Sequence, residues 1–297
     1  MAQHGLRSPE SANLKTMASY ENPSVRDDVN VAPHSAVGEF AKLSIALAAS
    51  VVLLVVALTW GFRWLAPWIP FSYEQRIAAP IVEQLTKDRG TSPAQSYLQH
   101  LAEQLAAHMD FPKGMSVQVH WSDSTVPNAF ATLGGHITIY QGLIHSVQTE
   151  NGLAMVLAHE LAHVRHRDPL VSAGSGLILA SSLGAVLGSG AESIVGKTSA
   201  ALMQLQFSRQ QERAADAVAL RALHAYYGHA SGADEFFSTM QQAGKTWAAH
   251  NAATFLQTHP GTEQRIADIR AFVAATAVKD EVQLTPLPDF LRTPTAK

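Results

Sequence analysis

The pattern of apolar and polar positions begins with one long apolar segment that follows a polar start. Residues 43–62 contain no charged side chain and are bounded by Lys42 and Arg63. About 20 apolar residues are enough for a helix to cross a bilayer. Tryptophans cluster at the C-terminal end of the segment, as is typical of a membrane interface, at Trp60, Trp64 and Trp68. The pattern predicts one transmembrane helix that contacts lipid through residues 43–62.

The predicted span divides the chain into a short polar part and a long amphipathic part. Residues 1–39 show no apolar period and are interpreted as a disordered tail, which the transmembrane helix follows over 40–62. One domain is expected over 63–280, because amphipathic patterns continue throughout that range. Prolines are frequent beyond it, which favours a flexible tail over 281–297.

Within the domain, a period of about 3.6 residues predicts helices and a period of two predicts strands. Residues 73–109 fit two helices, residues 116–121 alternate like a strand, and residues 129–140 fit a hairpin that turns at Gly134 and Gly135. Later helices are predicted at 199–227, 233–243 and 261–276. The expected fold class is α+β, mostly α-helical, with a small β-hairpin or sheet after one transmembrane helix.

One predicted helix carries the motif His159-Glu160-x-x-His163, with its leucines and valine in a separate stripe. Positions four apart share a helix face, so the two imidazoles point to the same side. Zinc binds neutral imidazole at about 2 Å, and this spacing suits it. Glu160, beside the first ligand, is placed to act as a general base on a water that zinc activates.

A catalytic zinc site needs a third protein ligand. Glu212 and Asp216 lie four residues apart on the helix predicted at 199–227, so they share a face. Glu212 is the expected third ligand, and Asp216 is expected to accept a hydrogen bond from the other ring nitrogen of His159. The alternative is that both carboxylates belong to a solvated acidic face.

Residues 170–190 form a second apolar stretch, rich in glycine and alanine. A single crossing here would place His163 and Glu212 on opposite sides of the membrane, where they could not share one metal ion. Residues 191–206 are too short and polar to supply a return crossing. We therefore expect a helix that packs in the domain or lies on the membrane surface.

Four motifs together resemble the zinc endopeptidases of the HtpX and CAAX prenyl protease type, which are gluzincins of metallopeptidase family forty-eight. The motifs are the HExxH segment, Ser208-Arg-x-x-Glu212-x-x-Ala-Asp216, Asn128-Ala-Phe with the strand that follows it, and His259-Pro with Arg265. The resemblance implies a zincin-like metallopeptidase domain over 63–280 that holds one Zn²⁺ and cleaves protein or peptide substrates.

The resemblance also implies roles outside the metal ligands. A strand at 136–140 would pair with the substrate main chain, with these substrate-binding residues: Asn128, Ala129, His136, Ile137 and Thr138. An ordinary structural hairpin is the alternative. His259 and Arg265 would act as catalytic residues that stabilise an oxyanion, or else His259 is a helix-entry residue that bonds the backbone.

Composition excludes some classes of function. The net charge is −3 and no basic stripe is present, which argues against a nucleic-acid partner. The absence of cysteine excludes disulfides and thiol catalysis. Charges flank the span evenly, so the default signal-anchor orientation places the domain in a bacterial periplasm, anchored in the inner membrane. A role in envelope protein quality control is expected.

Two other functions remain open from the sequence. The first is a membrane-anchored chaperone or binding module with a structural zinc site, which would need four ligands and no Glu160. The second is a CAAX-type processing enzyme, which needs a multi-helix membrane chamber that one span does not build. Three ligands and a base favour the peptidase.

Overall fold

The computed structural model describes residues 35–86, 92–187, 205–244, 255, 258–259, 262–277 and 282–292. Helix α1 (Ala36–Leu65) is followed by a 3-10 turn at Ala66–Trp68. Within these ranges, one helix is long and apolar enough to cross a membrane, and it contains no buried residue over its apolar window. The predicted span thus lies on a continuous helix that starts a few residues before residue 40.

The domain that follows is mainly helical, which confirms the predicted fold class. Two amphipathic helices come first, where two were predicted: α2 (Phe71–Thr86) and α3 (Pro93–Ala106). Further helices in the described part of the chain are α4 (Gln141–His145), α5 (Glu150–His166), α6 (Asp168–Leu187), α7 (Arg209–Tyr227), α8 (Glu235–Gly244) and α9 (Thr262–Ala275).

A three-stranded sheet lies beside these helices, with strands β1 (Gln118–Ser122), β2 (Ala129–Thr132) and β3 (His136–Tyr140). The spatial order is β1-β3-β2, with β1 parallel and β2 antiparallel to β3. The predicted hairpin is present and turns at Gly134 and Gly135, whose φ angles of 76° and 81° favour glycine. A side chain on Gly135 would also meet the carbonyl oxygen of Ser116.

Helix α5 is the centre of the domain, because its residues from Asn151 to Val164 are buried on every side. Thr149 caps its start by accepting a hydrogen bond from Gly152 N–H at 3.1 Å. The sequence predicted one buried stripe and one face open to a cleft. Instead, α7 packs against the metal-binding face as well, so both imidazoles of the motif lie in the interior.

Helix α7 begins later than predicted. Residues 205–208 are not helical, and 199–204 lie outside the described residues. Ser208 and Gln211 form a reciprocal capping box that sets the start at Arg209. Of the predicted region 170–190, residues up to Leu187 are helical in α6, and 188–190 lie outside the described residues. Gly174 of this helix allows close packing on the ring of Phe62.

The tail predicted over 281–297 does not hold for residues 282–292, which dock on the start of α5. Glu150 N–H donates to Thr285 O at 2.8 Å, and Thr285 N–H donates to the side chain of Asn151 at 2.9 Å. Leu287 and Leu291 are buried in the main core. These two leucines anchor the segment although prolines surround it, because burial of apolar area outweighs the loss of chain freedom.

Candidate metal centre

Helices α5 and α7 bring three predicted ligands together in the interior. The Nε2 atoms of His159 and His163 lie 3.0 Å apart. Glu212 faces both, with one oxygen 3.5 Å from Nε2 of His159 and the other 3.4 Å from Nε2 of His163. All three side chains are buried. The three donor groups therefore converge on one point.

A carboxylate lies behind each imidazole and fixes its orientation. Asp216 is 2.9 Å from Nδ1 of His159, where the sequence placed it, and Asp168 is 2.8 Å from Nδ1 of His163. A neutral ring that donates from Nδ1 carries its lone pair on Nε2. Two lone pairs that face each other at 3.0 Å repel unless a cation lies between them. This donor set fits a zinc-type metal ion.

Asp168 is a site residue that the sequence did not reveal. It lies just beyond α5, which ends at His166. The structure begins α6 at Asp168 and turns its carboxylate back toward His163. Gln211 of α7 donates to the other oxygen of Asp168 at 2.7 Å. An acidic residue five positions after the second histidine was the available signal.

Glu160 lies beside this point with a carboxylate that is fully buried and accepts no hydrogen bond from the described residues. Nε2 of His259 lies 3.6 Å from one oxygen of Glu160. That nitrogen also lacks a hydrogen-bond partner among the described residues. Two unpaired buried polar groups therefore face each other beside the metal ligands.

His259, which the resemblance assigned to the oxyanion, lies against the metal ligands. Its Nδ1 is 3.0 Å from Glu212, and its ring stacks on Phe255 with centroids 4.6 Å apart. One ligand atom from each of His159, His163, Glu212 and His259 lies within 4.8 Å of the others. By proximity alone, His259 could be a fourth metal ligand.

Arg265 is buried and forms ion pairs with two carboxylates. Its Nε and Nη2 each lie 2.8 Å from an oxygen of Asp216, and its Nη1 lies 2.7 Å from Glu212. The guanidinium also lies over the ring of Phe237, with its carbon 4.5 Å from the centroid. The sequence suggested a direct contact with an oxyanion, whereas the structure places Arg265 behind the ligands.

The electrostatics of the cluster favour a positive charge at its centre. Burial would lower the pKa of His163, but its hydrogen bonds to Asp168 and Glu212 raise it to about 9. Burial would raise the pKa of Asp216, yet Arg265 and His159 lower it to about 2. The neighbouring His259 and His159 likewise hold the pKa of Glu212 far below its usual value, despite burial.

The predicted substrate-binding residues divide between two strands. Ala129 lies on the edge strand β2, and Asn128 directly precedes it. His136, Ile137 and Thr138 lie on β3, which has a partner on both sides and offers no free edge to a peptide. The expectation that β3 pairs with substrate is therefore wrong, because β1 already occupies its second edge.

The chain is similar to known metallopeptidases. The model of peptidase family M48 matches residues 92–273, which is more than half of the chain. The mitochondrial metalloendopeptidase OMA1 of Schizosaccharomyces pombe is 25% identical over 225 residues, covering 72% of this chain and 65% of that protein. A protease HtpX homolog of Ralstonia pickettii is 31% identical over 215 residues, covering 60% and 73%.

A third relative is the putative beta-barrel assembly-enhancing protease of Vibrio cholerae, 32% identical over 162 residues. That match covers 48% of this chain and 32% of the relative, so the chain spans about one third of that protein and just under two thirds of OMA1. The buried cluster on α5 and α7 lies inside the matched region and defines a metal-dependent peptidase domain. The chain belongs to peptidase family M48.

Proposed function

We propose that this protein is a membrane-anchored, zinc-dependent endopeptidase of the HExxH gluzincin type that cleaves protein substrates. His159, His163 and Glu212 would hold the zinc ion. Bound zinc supplies a Lewis acid and lowers the pKa of a water molecule. Glu160 would be the general base beside the ion, accepting a proton from the attacking water and passing it to the leaving amine.

The unpaired carboxylate of Glu160 carries this proposal. Burying a carboxyl group without a hydrogen-bond partner costs free energy, so a site that only holds the fold has no reason to keep one. A catalytic site needs such a group, because its partners arrive with the water and the substrate. The alternative of a structural zinc site with His259 as fourth ligand leaves this cost unexplained.

His259 would act on the oxyanion through Nε2, the nitrogen that faces Glu160. This role requires a proton on Nε2, which a neutral ring carries only when Nδ1 does not donate to Glu212, as when Glu212 ligates the metal ion. A donor at that position stabilises the charge that develops on the carbonyl oxygen during attack. Arg265 supports the reaction differently, since its nitrogens engage Asp216 and Glu212 and thereby hold two groups that contact the histidines.

The edge strand β2 is the candidate for substrate pairing. Tyr140 N–H of β3 donates to Asn128 O at 3.1 Å, so Asn128 and Tyr140 form a hydrogen-bonded pair. In an antiparallel ladder the bonded positions alternate, which turns the main-chain groups of Ala129 and Ala131 away from β3. Both residues are buried, so pairing with a substrate requires that the chain covering this edge moves. Main-chain pairing depends little on the side chains of the substrate and therefore suits unfolded protein substrates of varied sequence.

The cellular setting completes the proposal. The exposed apolar helix α1 supports anchoring in a membrane through residues 43–62. The default orientation of a signal-anchor places the domain in the periplasm of a bacterium, at the inner membrane. Cleavage of unfolded proteins at that location would serve envelope quality control.

Digestion of an unfolded protein such as casein by the full chain in detergent tests the proposal. We expect cleavage that a chelator stops and added zinc restores. Glu160→Gln should lower kcat by roughly 10²–10⁴-fold while zinc stays near one per chain. Wild-type turnover by Glu160→Gln, or loss of its zinc, would show that Glu160 is not the base.

A further inference from the structure

Arg167 occupies a backbone conformation that its residue type disfavours. It is the single residue between α5 and α6, and its φ angle of 61° lies in the left-handed region. Glycine is the usual residue at such a helix end, because a side chain there strains the backbone. A strained position that carries a large side chain indicates that the side chain has a use of its own.

The guanidinium of Arg167 is buried and tied to the chain where it leaves α1. Nη1 donates to Ala66 O at 3.0 Å and also to Ile69 O, so it caps the 3-10 turn after the apolar helix. Nε donates to Glu74 of α2 at 2.6 Å. The second oxygen of Glu74 accepts from Gly134 N–H at 3.3 Å, which adds the β2–β3 turn to the same network.

The next residue connects this network to the metal centre. Asp168 follows Arg167 directly, and its carboxylate reaches Nδ1 of His163 at 2.8 Å. The left-handed turn at Arg167 points that carboxylate backward, because a helix continued through residue 168 would carry it away from His163. The orientation of one imidazole therefore depends on how Arg167 is held.

We propose that Arg167 is a positioning residue that orients His163 through Asp168, braced by the exit turn of α1 and by Glu74. This inference rests on the proposed metal site and adds a connection between that site and the membrane anchor. Loss of the brace loosens Asp168 and lowers metal affinity, as loss of other groups behind metal ligands does.

Zinc affinity of the full chain in detergent, measured by competition with a chromogenic chelator, tests this inference. Arg167→Gly removes the backbone strain together with the brace. We expect it to weaken zinc binding by roughly 10–100-fold. Arg167→Lys keeps the charge but cannot reach both carbonyls and Glu74, so its affinity should lie between those of Arg167→Gly and the wild type.

Arg292→Ala is the control, since Arg292 donates to the carbonyls of Val147 and Gln148 before the opposite end of α5. It should lower the melting midpoint and leave zinc affinity unchanged. Wild-type zinc affinity in Arg167→Gly, or equal loss in Arg292→Ala, would overturn the inference. If Arg167→Gly does not fold, Glu74→Gln decides, with several-fold weaker zinc expected and wild-type affinity contradicting it. Failure of the wild type itself to bind zinc would instead refute the proposed function.

Discussion

Two pairs of histidines in this domain are equally close and differ in what surrounds them. His159 and His163 approach through their Nε2 atoms at 3.0 Å, and His120 and His136 approach through Nε2 and Nδ1 at 3.0 Å. The first pair lies on one helix four residues apart. The second joins two parallel strands, β1 and β3.

The difference lies in the carboxylates. Asp216 and Asp168 stand behind the rings of the α5 pair, and the pKa of His163 rises to about 9 despite burial. Among the described residues, the sheet pair shows only a mutual hydrogen bond, and burial together with His120 lowers the pKa of His136 to about 4. When hydrogen-bond acceptors orient both rings, a close pair of imidazoles attracts a cation. Without such acceptors, the two rings form a hydrogen bond with each other.

Removal of Glu212 should have the largest effect on this contrast. Glu212→Ala deletes a donor that faces both imidazoles of α5, so zinc affinity should fall by more than the roughly 100-fold that loss of a supporting group costs. His136→Ala should keep a full zinc ion. Metal analysis after dialysis measures both, and full zinc in Glu212→Ala would remove this residue from the ligand set.

His259 resembles the α5 pair at one nitrogen, which meets a carboxylate, whereas its other nitrogen has no hydrogen-bond partner among the described residues. His259→Ala should lower kcat by about 100-fold with KM and zinc content nearly unchanged. Arg265→Ala should lower zinc affinity as well, since it releases Asp216 and Glu212. Loss of zinc in His259→Ala would make His259 a metal ligand and favour the closed structural site.

Asp216→Ala should make the α5 pair more like the sheet pair. It removes the acceptor behind His159, so zinc affinity should fall by roughly 10–100-fold while the ligands remain. Asp168→Ala should act similarly on His163. Chelator competition on the two variants measures the effect, and an unchanged affinity in both would mean that the carboxylates do not orient the rings.

His136 should give the smallest effect, visible only in acid. Its folded pKa of about 4 lies below its ordinary value of 6.5, so the unfolded chain binds the proton more tightly. The contribution of neutral His136 to the free energy of unfolding is therefore complete above pH 6.5. It is lost between pH 6.5 and 4, by up to about 3 kcal/mol. The melting midpoint of His136→Gln should drop less than that of the wild type between pH 7 and 4.5. Parallel drops would contradict this account.

The sequence predicted best what is local. The helix around His159 and His163 follows from spacing, and Glu212 with Asp216 follows from a second helical pattern. Asp168 could not be assigned, because its bond to His163 depends on a left-handed residue that the helical pattern does not show. The central place of β3 was missed for a related reason, since strand order in a sheet is not encoded in the alternation of one strand.

The docking of residues 282–292 on the start of α5 has a consequence for biosynthesis. The first turn of the metal-binding helix is completed by Thr285, more than one hundred residues after it in the chain. Contacts of such long separation form only after the later segment has been made. A nascent chain thus carries the histidines long before it carries the segment that packs their helix in place, so the start of this helix is completed only after residues 282–292 have been made.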